Sequence, residues 1–202
     1  SVEYNGVDYG SWSICIADVN NDIFKDIFIG NQHFQFVFIT NGSASNFVRT
    51  QLDSVYFAQG ANFVDIDMDG DQDLFVGSTS PYNRYPEPAD SKIWLNQNGT
   101  LKKSSQWSEV FKEIGYVNAA VFFDLEGDDL PDLAIAAEWG PVKVFRNSPT
   151  GFIDRSSSLG LNTQTGRWTF VAAGDFDNDG RMDLVAGNKG LNTSSALHHH
   201  SK

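Results

Sequence analysis

Ala173-Gly-Asp-Phe-Asp-Asn-Asp-Gly-Arg-Met-Asp-Leu-Val-Ala-Gly187 decides how the rest of the chain is read. Its nine central residues, Asp175 to Asp183, alternate acidic with other side chains and turn through a glycine, while both flanks are short and apolar. The same pattern recurs three times upstream, in loops running from Asp18 to Asp26, Asp65 to Asp73 and Asp124 to Asp132. The first residues of the four loops are 47, 59 and 51 positions apart. Apolar runs precede the loops at Ile14 to Ala17, Ala61 to Val64, Ala119 to Phe123 and Phe170 to Ala173. Others follow at Ile27 to Gly30, Leu74 to Gly77, Leu133 to Ala136 and Leu184 to Gly187. Short branched runs bounded by turn residues read as buried strands.

The outer part of each unit repeats as well. Phe36 to Gly42, Ile93 to Gly99 and Val142 to Asn147 alternate apolar with polar and end on turn residues. Asn-Gly between alternating runs marks a tight hairpin, because both residues tolerate positive φ. Each unit therefore reads as four antiparallel strands in roughly 50 residues, a period typical of propeller blades, which bury their faces only against neighbouring blades. The fold class is all-β, and residues 1–202 read as one β-propeller segment of four repeats. Ser80 to Ser91, with three prolines, reads as a loop inserted within one blade. The fourth unit stops after its second strand, and Ser1 to Gly10 supplies at most one or two strands. The expectation is an open arc, completed by further blades from missing sequence or another chain.

Composition narrows the function. The 202 residues carry a formal charge of −12, which repels phosphate backbones and argues against a nucleic-acid partner. No stretch approaches the ~18 consecutive apolar residues of a membrane span. Cys15 stands alone in Ile14-Cys15-Ile16, so no internal disulfide is possible, and it reads as a small buried hydrophobe. The histidines in Leu197 to Lys202 are not taken as a metal site.

The loops hold 17 of the 26 acidic side chains. Crowding carboxylates costs repulsion that a solvated surface avoids, and a hard divalent cation explains the cost. Calcium takes six to eight oxygen ligands from carboxylates, amide oxygens, backbone carbonyls and water. Positions 1, 3, 5 and 9 of each loop are the candidate ligands: Asp18, Asn20, Asp22 and Asp26; Asp65, Asp67, Asp69 and Asp73; Asp124, Glu126, Asp128 and Asp132; Asp175, Asp177, Asp179 and Asp183. A backbone carbonyl near position 7 would complete the shell, which leaves the Asp71 side chain spare. An EF-hand needs Glu at position 12, where this chain has Ile29, Val76, Ile135 and Ala186. Loops two and four are complete. Loop one has Ile23 and loop three Asp129 where Gly70 and Gly180 make the turn in the others, so these two loops are expected to bind weakly or to turn differently.

These loops and their framing strands, most specifically Val64 to Gly77 and Ala173 to Gly187, resemble the FG-GAP/VCBS-type repeats of integrin-α-like β-propellers, including bacterial surface members. The resemblance covers nearly the whole chain. It implies calcium in the loops, an extracellular, cell-surface or periplasmic location, a ring of about seven blades and a binding role.

The function expected is a non-catalytic module binding a glycan or an extracellular protein. The alternatives are the propeller of a polysaccharide-degrading enzyme such as a lyase, or a structural spacer. No Gly-x-Ser-x-Gly, His-Glu-x-x-His or Cys–His arrangement is present, and His33 is the one internal histidine. Trp12 and Trp168 each precede the first strand of a unit and read as wedges between blades. Trp107, Trp139 and the pair Tyr82 and Tyr85 are freer to form a sugar platform. Asn41-Gly-Ser, Asn98-Gly-Thr and Asn192-Thr-Ser fit the glycosylation pattern, the first two reading better as turns.

Overall fold

The computed structural model describes residues 2–4, 7–9, 13–31, 34–40, 42–43, 46–52, 58–81 and 83–190. Trp12, His33, Asn41, Tyr82 and Asn192 lie outside them. The first two strands, β1 (Val2–Tyr4) and β2 (Val7–Tyr9), pair with each other and with no other strand among the described residues. Blade one is the antiparallel sheet β3 (Ser13–Ala17), β4 (Asp26–Gly30), β5 (Gln35–Thr40) and β6 (Phe47–Gln51). Blade two repeats it with β7 (Ala58–Val64), β8 (Asp73–Ser78), β9 (Lys92–Asn96) and β10 (Leu101–Ser104). Blade three has β11 (Tyr116–Phe123), β12 (Asp132–Gly140), β13 (Lys143–Arg146) and the short β14 (Ile153–Asp154). A fourth unit is described for its first two strands, β15 (Gly166–Gly174) and β16 (Asp183–Asn188).

Alternation explains how the blades stack. On β3 and β4, Cys15 and Phe28 face blade two and meet Ala58, Leu74, Val76 and Trp94. The other face of β8 and β9, with Phe75 and Ile93, meets Val117, Leu133, Ile135 and Phe145 of blade three. Ala134, Ala136 and Val144 then meet Val171 of the fourth unit, with Ala173 and Leu184 packed alongside. Among the described residues three cores thus lie between blades and none within one, as a period-2 pattern demands when both faces of a sheet are covered.

The first strands β3, β7, β11 and β15 lie side by side in that order. They are tied by Ala61 N–H donating to Ser13 Oγ (3.2 Å), Asn62 Nδ2 to the Ala120 carbonyl (3.2 Å) and Asn118 Nδ2 to the Trp168 carbonyl (2.8 Å). The inner strands run further toward their N-termini than the apolar runs suggest. Bulges at Gln59/Asn62, Val117/Ala119 and Trp168/Phe170 break the alternation there. Gly60 makes the first of these turns at φ +59°, with blade three's backbone about 3 Å from where a Cβ would sit.

Two expectations about tryptophans resolve in opposite ways. Trp168 does wedge between blades, its Nε1 donating to the Gly140 carbonyl at 3.0 Å. Trp107 is no free platform: it lies on the helix α1 (Ser105–Ser108), capped by Ser104, and is buried edge-on against Phe152. The hairpin at Asn98-Gly99 has both residues at positive φ, as the sequence reading requires.

Candidate metal centres

All four acidic loops adopt one conformation. Position 6 is left-handed whether it is glycine or not: Gly70 and Gly180 at φ +94° and +84°, Ile23 and Asp129 at +71° and +63°. Loops one and three therefore keep the turn that their side chains disfavour. Position 4 is left-handed too, at Asn21, Met68, Gly127 and Asn178. Two left-handed residues bring the position 5 and 6 N–H groups onto the position 1 carboxylate. Asp18 accepts from Asp22 and Ile23, Asp65 from Asp69 and Gly70, Asp124 from Asp128 and Asp129, and Asp175 from Asp179 and Gly180, all within 2.8–3.2 Å. At Asp124, desolvation acts upward, yet N–H donors from Asp129, Gly127 and Asp128 hold the carboxyl below its ordinary value.

Position 9 is buried in the first three loops and half-buried at Asp183, and in the first three its two oxygens are divided. One accepts the N–H of position 2: Val19 to Asp26 at 2.7 Å, Ile66 to Asp73 at 2.8 Å, Leu125 to Asp132 at 2.8 Å and Phe176 to Asp183 at 3.1 Å. The other accepts the N–H of the residue at or just after the end of the third strand: Thr40 to Asp26 at 2.7 Å, Asn96 to Asp73 at 2.7 Å and Asn147 to Asp132 at 2.6 Å. The Asp at position 9 therefore closes the loop onto its own blade. The Asn side chains then reach the neighbouring blade. Asn96 Nδ2 donates to the Val19 carbonyl at 2.6 Å and Asn147 Nδ2 to the Ile66 carbonyl at 2.8 Å. A continuous hydrogen-bonded belt results, from Asp26 through Val19, Asn96, Asp73, Ile66 and Asn147 to Asp132.

The loops differ in where their carboxylates gather. In loop two, oxygens of Asp65, Asp67 and Asp73 all lie within 4.8 Å of one another; in loop four, those of Asp175, Asp177 and Asp183 do so. Asp69 and Asp179 stand outside these groups, each accepting the N–H of position 7. Desolvation, reinforced by the neighbouring carboxylates, pushes Asp73 up to about 6 and raises Asp67. Hard oxygen donors this close, with protonation favoured first by burial and then by crowding, are a set whose repulsion a hard cation would relieve.

Loop three is filled differently. Arg146 Nε lies 2.6 Å from Glu126 and its NH2 3.3 Å from Asp128, with Arg155 3.8 Å from Glu126. A guanidinium already neutralises the acids there. In loop one the Asn20 amide and Thr40 hydroxyl hydrogen-bond Asp22, and Asp18, Asp22 and Asp26 form no group of three close carboxylates among the described residues. Asp71 is not spare. Its oxygens accept from Asn21 Nδ2 at 2.7 Å and from Asn98 N–H at 3.2 Å, joining loop two to loop one and to its own hairpin.

The comparisons with known proteins agree with this architecture. The chain is similar to integrin alpha-5 of Xenopus laevis, with 24% identity over 221 aligned positions, which cover 92% of this chain and 20% of that protein. The chain thus spans about a fifth of the relative's length. The FG-GAP-like repeat family matches residues 65–135 and again 124–186, so that each match runs from one acidic loop through the strands that follow it. Four loops of one conformation on antiparallel blades, with two repeat matches over more than half the sequence, place this chain in the FG-GAP-like repeat family.

Proposed function

We propose that the chain is an extracytoplasmic, calcium-binding β-propeller module that binds a glycan or an extracellular protein without catalysing a reaction. The observation that carries the metal reading is the pair of three-carboxylate groups in loops two and four. Asp65, Asp67 and Asp73, and Asp175, Asp177 and Asp183, would hold one ion each. Calcium supplies charge neutralisation there, and the loops keep their shape through the backbone bonds to positions 1 and 9. Loops one and three, lacking such a group, are not assigned an ion.

The blades at either end leave apolar faces open. Ile14 and Ile16 on β3 are 59% and 60% exposed, and Phe170 and Val185 on the fourth unit 46% and 45%. These side chains point away from the neighbouring described blade, and further blades would cover them.

The test is thermal denaturation with calcium and with a chelator. At calcium a hundredfold above Kd, each site adds about 2.7 kcal/mol, and Kd is expected on the order of 10⁻⁴–10⁻³ M, as for extracellular modules. Asp67→Ala and Asp177→Ala should each remove one site. A melting temperature that ignores both calcium and chelator would sink the metal reading.

A further inference from the structure

A cleft lies at the opposite ends of the blades from the acidic loops, where β12 ends and β15 begins. Trp139 sits there, 61% exposed and with its backbone at φ +66°. A bulky residue in the left-handed region is strained, and an exposed aromatic side chain gains no burial to offset the strain. Residues from three successive blades fix its position. Trp139 Nε1 donates to the Tyr85 hydroxyl at 3.0 Å, and that hydroxyl donates to Glu138 at 3.3 Å. Arg167 NH2 donates to both Glu138 oxygens at 3.2 Å, and the guanidinium carbon lies 5.1 Å from the centre of the Trp139 ring. Tyr116 packs edge-on against Tyr85 at 5.8 Å. The indole is therefore held in place before any ligand arrives.

The cleft beside it is about 660 Å³, lined by Trp139, Thr165, Gly166, Arg167, Asn188 and Gly190. That volume suits a small ligand. Its polar groups are a hydroxyl, an amide and glycine backbone, and Glu138 already compensates the single charge, Arg167. Arg167 Nε is buried without a hydrogen-bond partner.

We propose that this cleft is a carbohydrate site for neutral pyranose units. The axial C–H face of a sugar ring stacks on the preorganised indole, and hydroxyls bond Thr165, Asn188 and the glycine backbone. An anionic ligand is disfavoured because Glu138 already neutralises the Arg167 charge and the chain carries −12. The proposal rests on the reading of this chain as a binding module and names the ligand class and the place.

The experiment probes the full chain, in calcium, on an array of immobilised neutral, uronate-bearing and sulfated oligosaccharides. Binding to neutral pyranose probes is expected, weakened about tenfold or more by Trp139→Ala. Thr165→Arg should weaken it similarly, by filling the cleft from an exposed position that takes no part in the Trp139 network. Both variants should keep the calcium-induced thermal shift. Absence of binding to every neutral probe overturns the proposal. So does retention on anionic probes alone, unchanged binding by Thr165→Arg, or Trp139-dependent capture of a protein that carries no glycan. A chain that holds sugar through Trp139 yet ignores calcium would refute the metal reading and leave this one standing; a calcium shift without sugar binding does the reverse.

Discussion

Asp132 separates the architectural role of the ninth loop position from any metal role, because Arg146 occupies its loop. The carboxylate is buried, with one oxygen taking the Leu125 N–H and the other the Asn147 N–H. Asp132→Ala orphans both donors. Each unsatisfied buried donor costs about 1–3 kcal/mol, so the loss should be about 2–6 kcal/mol. Asp132→Asn keeps one acceptor oxygen and should cost roughly half as much. Urea denaturation of both variants, in calcium and in chelator, measures this directly. The expected result is the same loss in either medium. A loss below about 1 kcal/mol, or one that disappears in chelator, would refute the argument that this residue holds the blade together through backbone N–H groups.

Other outcomes follow from the same geometry. Ile23→Gly, at an exposed position with φ +71°, should stabilise the chain by about 0.5–1 kcal/mol, read as a higher melting temperature. Arg146→Gln takes the cation from Asp128 and leaves Glu126 only the more distant Arg155. It should cost up to about 1 kcal/mol in chelator, with added calcium recovering the loss; a calcium-insensitive loss would show that the loop cannot take an ion. Burial pushes the Cys15 thiol from 9.0 up to about 12, against an opposing Phe63 N–H. Native protein should therefore resist iodoacetamide at pH 8 and react once unfolded. Stability should fall as pH rises through that window, since the unfolded chain releases a proton the folded chain keeps.

Much of this architecture was legible in the sequence because it is written locally. Asp at positions 1 and 9, apolar runs on either side and Asn98-Gly99 in the outer hairpin are features of contiguous residues. The pairing of β3 with β4, or of β15 with β16, follows from them directly. What was not legible depends on partners far along the chain. Nothing about Asp71 announces the Asn21 amide fifty residues away, and nothing in loop three points to Arg146. Met68 gives no hint of a left-handed backbone, since position 4 is set by loop closure and its side chain only tolerates the result. Trp107 and Trp139 look alike in sequence. Burial of one against Phe152 and exposure of the other are decided by which blade edge each meets.

The belt that runs from Asp26 to Asp132 has a mechanical sense. Both links of the belt across a blade boundary are made by the later blade, whose Asn reaches back to a carbonyl of the earlier one, so the belt is laced in one direction. Asn96 and Asn147 act as hooks on a hoop placed just under the acidic loops. At this rim, spreading two blades stretches one short hydrogen bond from an Asn amide whose own N–H is anchored to a buried carboxylate, and a blade without its hook should loosen there before its own sheet opens. Nearest-neighbour coupling of this kind makes the molecule behave like a row of dominoes. Loosening the Asp73 loop should be felt at Asn147 in the next blade, while the preceding blade keeps its own closure at Asp26.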